Sequence, residues 1–328
     1  MVMQHKRLKR FLTGSLFVLL LACLLAVTQR QAIHDWSRLY GYTPPSSVVQ
    51  LVDDITVTDK ARHILYVNHP AIEDRQTFNA ACHNLDAHTS VLGCYHPVDH
   101  GIYVFHITDQ RLAGVDQVTA AHEMLHAAYD RLSSKERTRV NAMLQDYYDH
   151  GLQDARIKSI IGVYQKTEPN DVVNEMHSIF GTECGTLSPG LEAYYTQYFQ
   201  NRAKVAKYAS DYQDEFTSRQ TLVADYDSRI TTMKQQLNDN IARLGTQEAQ
   251  IIALKAQMDR DTSNNNIDIY NANVPIYNAK IDAYNILVTT TKALMATYNQ
   301  TITTRNQLAL QVNDLSHSID STFQPISK

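Results

Sequence analysis

Two histidines spaced four residues apart, with a glutamate between them, are the residues in this chain best equipped for chemistry: His122-Glu123-Met124-Leu125-His126. On a helix, residues four apart lie nearly above one another. Both imidazoles then point to one side and can share one Zn²⁺ ion. Glu123 lies on the same side, placed to take a proton from a water beside the metal. The spacing predicts a hydrolytic zinc site acting on protein or peptide substrates. The flanks predict the helix it needs: Val115, Val118, Leu125 and Leu132 are spaced for one apolar face, and no Pro or Gly interrupts positions 115 to 132.

A catalytic zinc ordinarily takes three protein ligands, so the chain must supply one more. A second helix is predicted after Pro169, with Asn170 or Asp171 able to cap it and Gly181 able to end it. Val172, Val173, Met176, Ile179 and Phe180 form its apolar arc. Glu175 sits at one edge of that arc and His177 at the other, roughly 200° apart on the wheel, so only one of them faces the metal. A carboxylate at the edge of a buried face needs a partner, because desolvating its charge alone is costly. Glu175 is therefore the expected third ligand, with His177 and Glu183 as the other candidates. Glu183 and Asp130 are also candidates for orienting a ligand histidine. Tyr164, His177, Tyr194 and Tyr195 are candidates for stabilising an oxyanion.

The motif His122-Glu123-x-x-His126, followed by Asn174-Glu175-Met176-His177-Ser178 on a separate helix, resembles the gluzincin, thermolysin-like group of zinc metallopeptidases. The resemblance spans about residues 115 to 181. It implies a zincin-like fold, with His122, His126 and Glu175 as zinc ligands and Glu123 as general base. Two departures stand out. Ala127 to Asn174 puts 48 residues between His126 and Glu175, which requires an inserted segment. Where the group has an Asp after the Ser to support a ligand histidine, this chain has Ile179.

The remaining composition bears on location and partners. Lys6, Arg7, Lys9 and Arg10 form a basic tail over residues 1–10, followed by an uncharged, Leu-rich run. Residues 11–28 read as an uncleaved transmembrane signal-anchor, with the N-terminus cytoplasmic and the bulk of the chain extracytoplasmic. A cleaved signal peptide and a lipid anchor at Cys23 are the competing readings. Cys82 and Cys94 are spaced for a disulfide outside the cytoplasm, and Cys184 is left over. A net charge of −4 and a pI near 6.4 offer no basic surface for nucleic acid.

The elements that must position these residues read as an α+β chain. Residues 29–47 look like linker. Residues 48–200 look like the metallopeptidase domain, a small sheet plus motif helices. His63 to Val67, Val91 to Tyr95 and Gly101 to Ile107 are strand candidates, and Glu73 to Cys82 is a helix candidate. An extended peptide could add to the Gly101–Ile107 strand. His96, His100 and His106 read as surface histidines. Ser133-Ser134-Lys135-Glu136 is a capping box opening a helix to about Tyr148. Asp154 to Lys166 and the segment after Gly190 are further helices. From residue 201 to 328, apolar residues step by threes, fours and sevens on both sides of a polar break at Asp261–Asn266. This predicts a long antiparallel helical coiled coil that pairs with itself or with a partner protein. Beside the peptidase reading stands one of another class: an envelope scaffold or adhesion protein with a zinc-stabilised, inactive head.

Overall fold

The computed structural model describes residues 28–82, 92–98 and 101–322. The expected membrane anchor falls on residues outside that set; among the described residues no helix is long and apolar enough to cross a membrane. The chain divides into two compact units: residues up to Gln213 together with those from Ser318 onward, and Asp214–His317. The long helical region thus contributes its first and last turns to the first unit, so the boundary falls about a dozen residues beyond the expected one at 201.

The first unit is mostly helical around a three-stranded sheet. Its elements are α1 (Arg30–Leu39), α2 (Ser46–Asp54), α3 (Asp59–Val67), β1 (Ala71–Glu73), α4 (Arg75–Ala81), β2 (Gly93–His96), β3 (Gly101–Phe105), α5 (Val115–Asp130), α6 (Ser134–Asp146), α7 (Ala155–Thr167), α8 (Val172–Glu183) and α9 (Pro189–Tyr195). The sheet order is β1-β3-β2, with β1 parallel and β2 antiparallel to β3. The strand expected to accept an added peptide, Gly101–Phe105, is therefore internal and has no free edge. Among the described residues the outer strands are β1 and β2.

Two further expectations are corrected. His63–Val67 is the end of helix α3, not a strand. Thr58 caps that helix by accepting from Ala61 N, and Ala61, Ile64 and Leu65 bury one helical face. Five apolar-rich residues taken alone suit a strand; with the cap upstream they complete a helix. Residues 29–47 are not simply linker, because α1 packs into the unit through Asp35. This carboxylate is 6% exposed and accepts from Arg131 Nη1 and Nη2 at 2.8 and 3.0 Å, with His63 Nε2 at 2.9 Å and Gln31 Nε2 at 2.9 Å. Arg131 is the C-cap of α5, so α1 fastens the end of the motif helix.

The capping box opening α6 is formed: Ser133 accepts from Glu136 N while Glu136 accepts from Ser133 N. The helix ends at Asp146 in a wide turn, Tyr147–Gly151. The core of the unit gathers α2, α3, β3, α5, α8 and α9, with Ile102, Val104, Ala121, Leu125, Phe180 and Tyr195 fully or almost fully buried.

Helices α10 (Arg202–Ser263) and α11 (Ile267–Ile319) form a hairpin. Asn265 takes φ 63° at its turn, where Asn266 N donates to Asp261 O at 2.8 Å. Within the second unit, Arg219 reaches Gln311, Asp227 reaches Arg305 and Gln250 reaches Lys280. Partner numbers fall as the chain rises, so the helices run antiparallel. Leu287, Thr301 and Leu315 are buried at intervals of two heptads.

Asp35 supplies the first prediction. Burial alone would raise its pKa, but the hydrogen bonds from Arg131, His63 and Gln31 outweigh burial and hold it well below the usual carboxylate range. A depressed folded-state pKa contributes stability above the unfolded value near 4 and loses it as pH falls. Asp35→Asn should cost about 2 kcal/mol at neutral pH, and the Tm difference from the parent should shrink as pH drops below about 4. Thermal melts of both proteins across that range check this.

Candidate metal centre

Helix α5 carries both motif histidines on its cleft side. It starts at Gly114, whose φ of 101° favours glycine, and Tyr208 packs against that glycine so closely that a Cβ there would lie 2.8 Å from the ring. Helix α8 carries Glu175 and packs along α5. His122 Nε2 and His126 Nε2 are 3.0 Å apart. His126 Nε2 lies 3.4 Å from Glu175 Oε1, and His122 Nε2 lies 3.6 Å from Glu175 Oε2. His122, His126 and Glu175 thus form a group that can hold a metal ion, their ligand atoms all within 4.8 Å of one another.

The residues present fit such an ion. Glu175 is 7% exposed, and its Oε2 is buried with no hydrogen bond. Metal–ligand bonds of about 2.0–2.1 Å in a tetrahedron place ligand atoms roughly 3.4 Å apart, close to the observed spacings. Burial pushes the Glu175 pKa up, but His122, His126 and Tyr164 outweigh it and leave the carboxyl below its ordinary value, so it is ionised as a ligand must be. A second cluster, Cys82, Cys94 and His96, has similar spacing. There, however, Cys82 and Cys94 are joined in a disulfide, which removes both thiolates as ligands.

Glu123 faces the same cleft. It is 7% exposed, and its pKa is raised to about 7, chiefly by burial, with Glu175 adding to the rise and His126 opposing it. Strand β2 lies against this carboxylate. A Cβ on Gly93 would sit 2.5 Å from Thr119 Cγ2 and 2.8 Å from Glu123 Oε1, so only glycine allows the strand to approach this closely. The cleft between β2, α5 and α8 encloses about 320 Å³. Its lining includes Gly93, Tyr95, Asp130, Tyr164 and Asp171 beside the ligand residues.

The other candidates fall elsewhere. His177 is fully buried behind α8, in a cage of Tyr129, Tyr194, Tyr195 and Tyr198. Its Nε2 meets Tyr194 Oη at 2.8 Å, and its carbonyl accepts from Tyr195 Oη at 2.6 Å. Burial first, then the neighbouring His126 and His122, push its pKa down to about 3, so the ring is neutral. None of His177, Tyr194 and Tyr195 lines the cleft. They lock α8 in place instead. Glu183 pairs with Arg156 Nη1 at 2.8 Å, tying α8 to α7, and takes no part in the metal group. Tyr164 and Asp130, two of the candidates, do reach the cleft.

Gly93 and Tyr95 were not candidates from the sequence. The readable signal for Gly93 was a glycine beginning a strand, which marks close backbone approach. Nothing local marks Tyr95, whose pKa rises to about 12 through burial and the Asp130 carboxylate.

Glu175→Ala should weaken metal affinity by roughly 10- to 100-fold or more, as expected when a supporting group or ligand is lost. Zn²⁺ titration followed by calorimetry checks this. Unchanged affinity would remove Glu175 from the ligand set. Comparison of the chain with protein-family models, with curated proteins and with solved structures finds no match.

Proposed function

We propose that this chain is a zinc-dependent metallopeptidase with a zincin-like catalytic unit, held at a membrane by its N-terminal segment and working outside the cytoplasm. The observation that carries this reading is the convergence of Glu175, from a separate helix, on His122 and His126, with Glu123 beside them in an open cleft. Two imidazoles and one carboxylate form a common ligand set for catalytic zinc, with one position left for water or substrate. Glu123 has no role in a purely structural site.

Bound by these three residues, zinc supplies positive charge that polarises a carbonyl oxygen and acidifies a water. Glu123 accepts a proton at its carboxylate and returns it to the leaving amine. Its burial makes it a stronger base than a solvated carboxylate. Tyr164 keeps its proton, because burial first, and then the charges of Glu175 and Glu123, raise its pKa. It therefore remains a donor in the cleft wall, suited to a developing oxyanion. The outer strand β2 can pair with an extended peptide and lay its backbone along the cleft.

The second reading, a scaffold or adhesion protein with a metal-stabilised head, draws on the hairpin, which is a compact unit of its own with antiparallel coiled-coil spacing. Cleavage of a mixed peptide library, with and without chelator, separates the two.

Glu123→Gln should keep about one zinc per chain and lose roughly 10²- to 10⁴-fold in kcat. Retained cleavage overturns the assignment of the base. Gly93→Ala should also lower kcat, by roughly 10- to 100-fold, by displacing Glu123. Its zinc content, measured in parallel, should stay at the parent level.

A further inference from the structure

One face of helix α1 is left open to solvent, and it is the apolar one. With Asp35 marking the buried side, Trp36, Tyr40 and Ile33 lie roughly 100°, 140° and 160° around the helix, within one narrow arc. They are 66%, 78% and 51% exposed, and the rings of Trp36 and Tyr40 lie with centroids 5.4 Å apart. The other side of α1 is fastened. Asp35 meets Arg131 and His63, Arg38 Nε donates to Val67 O at 3.1 Å, and Arg38 O meets His69 Nε2 at 2.8 Å. Just past the helix, Tyr42 stacks on His69 at 4.1 Å. Two aromatic rings and an isoleucine are thus held outward on a fixed mount.

The adjoining sequence points to what covers this face. Residues 11–27 carry no charge, and only Thr28 and Gln29 separate them from α1. Three Cα steps cannot exceed about 11 Å, so α1 starts beside the end of that run. The headgroup layer of a bilayer is about 5–7 Å thick on each side, which is the same scale. Tryptophan and tyrosine favour that layer, because each has an apolar body and a polar tip. Charge agrees. Across residues 28–45 the one acidic residue is Asp35, which is buried and paired, whereas Arg30 is exposed at the start of α1. No free carboxylate on α1 faces the phosphates of a lipid surface.

We propose that Ile33, Trp36 and Tyr40 seat α1 in the headgroup layer of a phospholipid bilayer. This rests on the membrane attachment proposed above and adds a second point of contact. An anchor alone holds the unit near a bilayer; a contact on α1 sets which way the unit faces. Asp35 and Arg131 carry that constraint from α1 to the end of the motif helix α5, so the metal group takes a set orientation to the membrane.

Trp36 is the single tryptophan of the chain, so its fluorescence reports on this face alone. The full chain is inserted into preformed vesicles of phosphatidylcholine and phosphatidylglycerol and recovered by flotation. Lipids brominated near the headgroup end of the acyl chain should quench Trp36 roughly twofold or more, above the effect of bromines at the chain end, while aqueous iodide quenches it weakly. Ile33→Glu/Tyr40→Glu, with its melting compared with the parent, should reverse both effects. Undiminished lipid quenching in that variant overturns the inference. Iodide-accessible Trp36 without lipid quenching, in protein that floats with the vesicles, overturns it and keeps the anchor. Trp36 shielded from iodide yet unquenched by brominated lipid, increasingly so at higher protein-to-lipid ratio, also overturns it and gives the face to a second copy. Lipid quenching of protein that alkaline carbonate strips from the vesicles keeps the surface contact and defeats the spanning anchor. Failure to float defeats both.

Discussion

A carboxylate cannot stay charged inside a protein core without positive charge or donors facing it, and the arrangement of the first unit turns on that constraint at Glu175. The residue sits among Met176, Ile179 and Phe180 on a buried helix, and its neighbours on α5 are two imidazoles rather than a lysine or arginine. Leaving such a group unpaired would cost several kcal/mol. Side chains that could hold it equally well without a metal were available to evolution; an imidazole pair with nitrogens 3.0 Å apart is a poor substitute for a guanidinium. The same pair is a good chelate.

The other parts of the unit can be understood as supports for that meeting. The His177 cage and the Arg156–Glu183 pair hold α8 from behind and from its end. Asp35 and Arg131 hold the end of α5. Tyr208 closes on its beginning at Gly114. These contacts come from chain segments as distant as α1 and the first turns of α10. Strand β2 forms the remaining wall and comes close enough to Glu123 to exclude any side chain at Gly93.

How much of this is legible in the sequence follows from how local each signal is. His122, Glu123 and His126 declare themselves through helical spacing alone, and the capping box at Ser133 and the hairpin's heptads are equally short-range patterns. Glu175 is legible because a wheel places it at the edge of an apolar arc. The same wheel leaves His177 ambiguous, since periodicity cannot say that four tyrosines from α5, α9 and the segment after it close around it. Asp35 with Arg131 is a pairing across 96 positions that no local pattern announces. His63–Val67 misleads for a related reason: its type becomes clear only with the cap at Thr58. The place of Gly101–Phe105 inside the sheet depends on β1, a strand of three residues too short to register.

The Cys82–Cys94 bond carries a consequence of its own for the strand that lines the cleft. It joins α4 to β2 covalently across the twelve-step separation between the two cysteines. A break in the backbone anywhere inside that loop leaves both new ends on the same molecule. The strand lining the cleft would stay tethered to the helix before it, and the damage would be visible only after reduction, as two fragments where there had been one band. The staple thus makes one stretch of the first unit tolerant of cleavage.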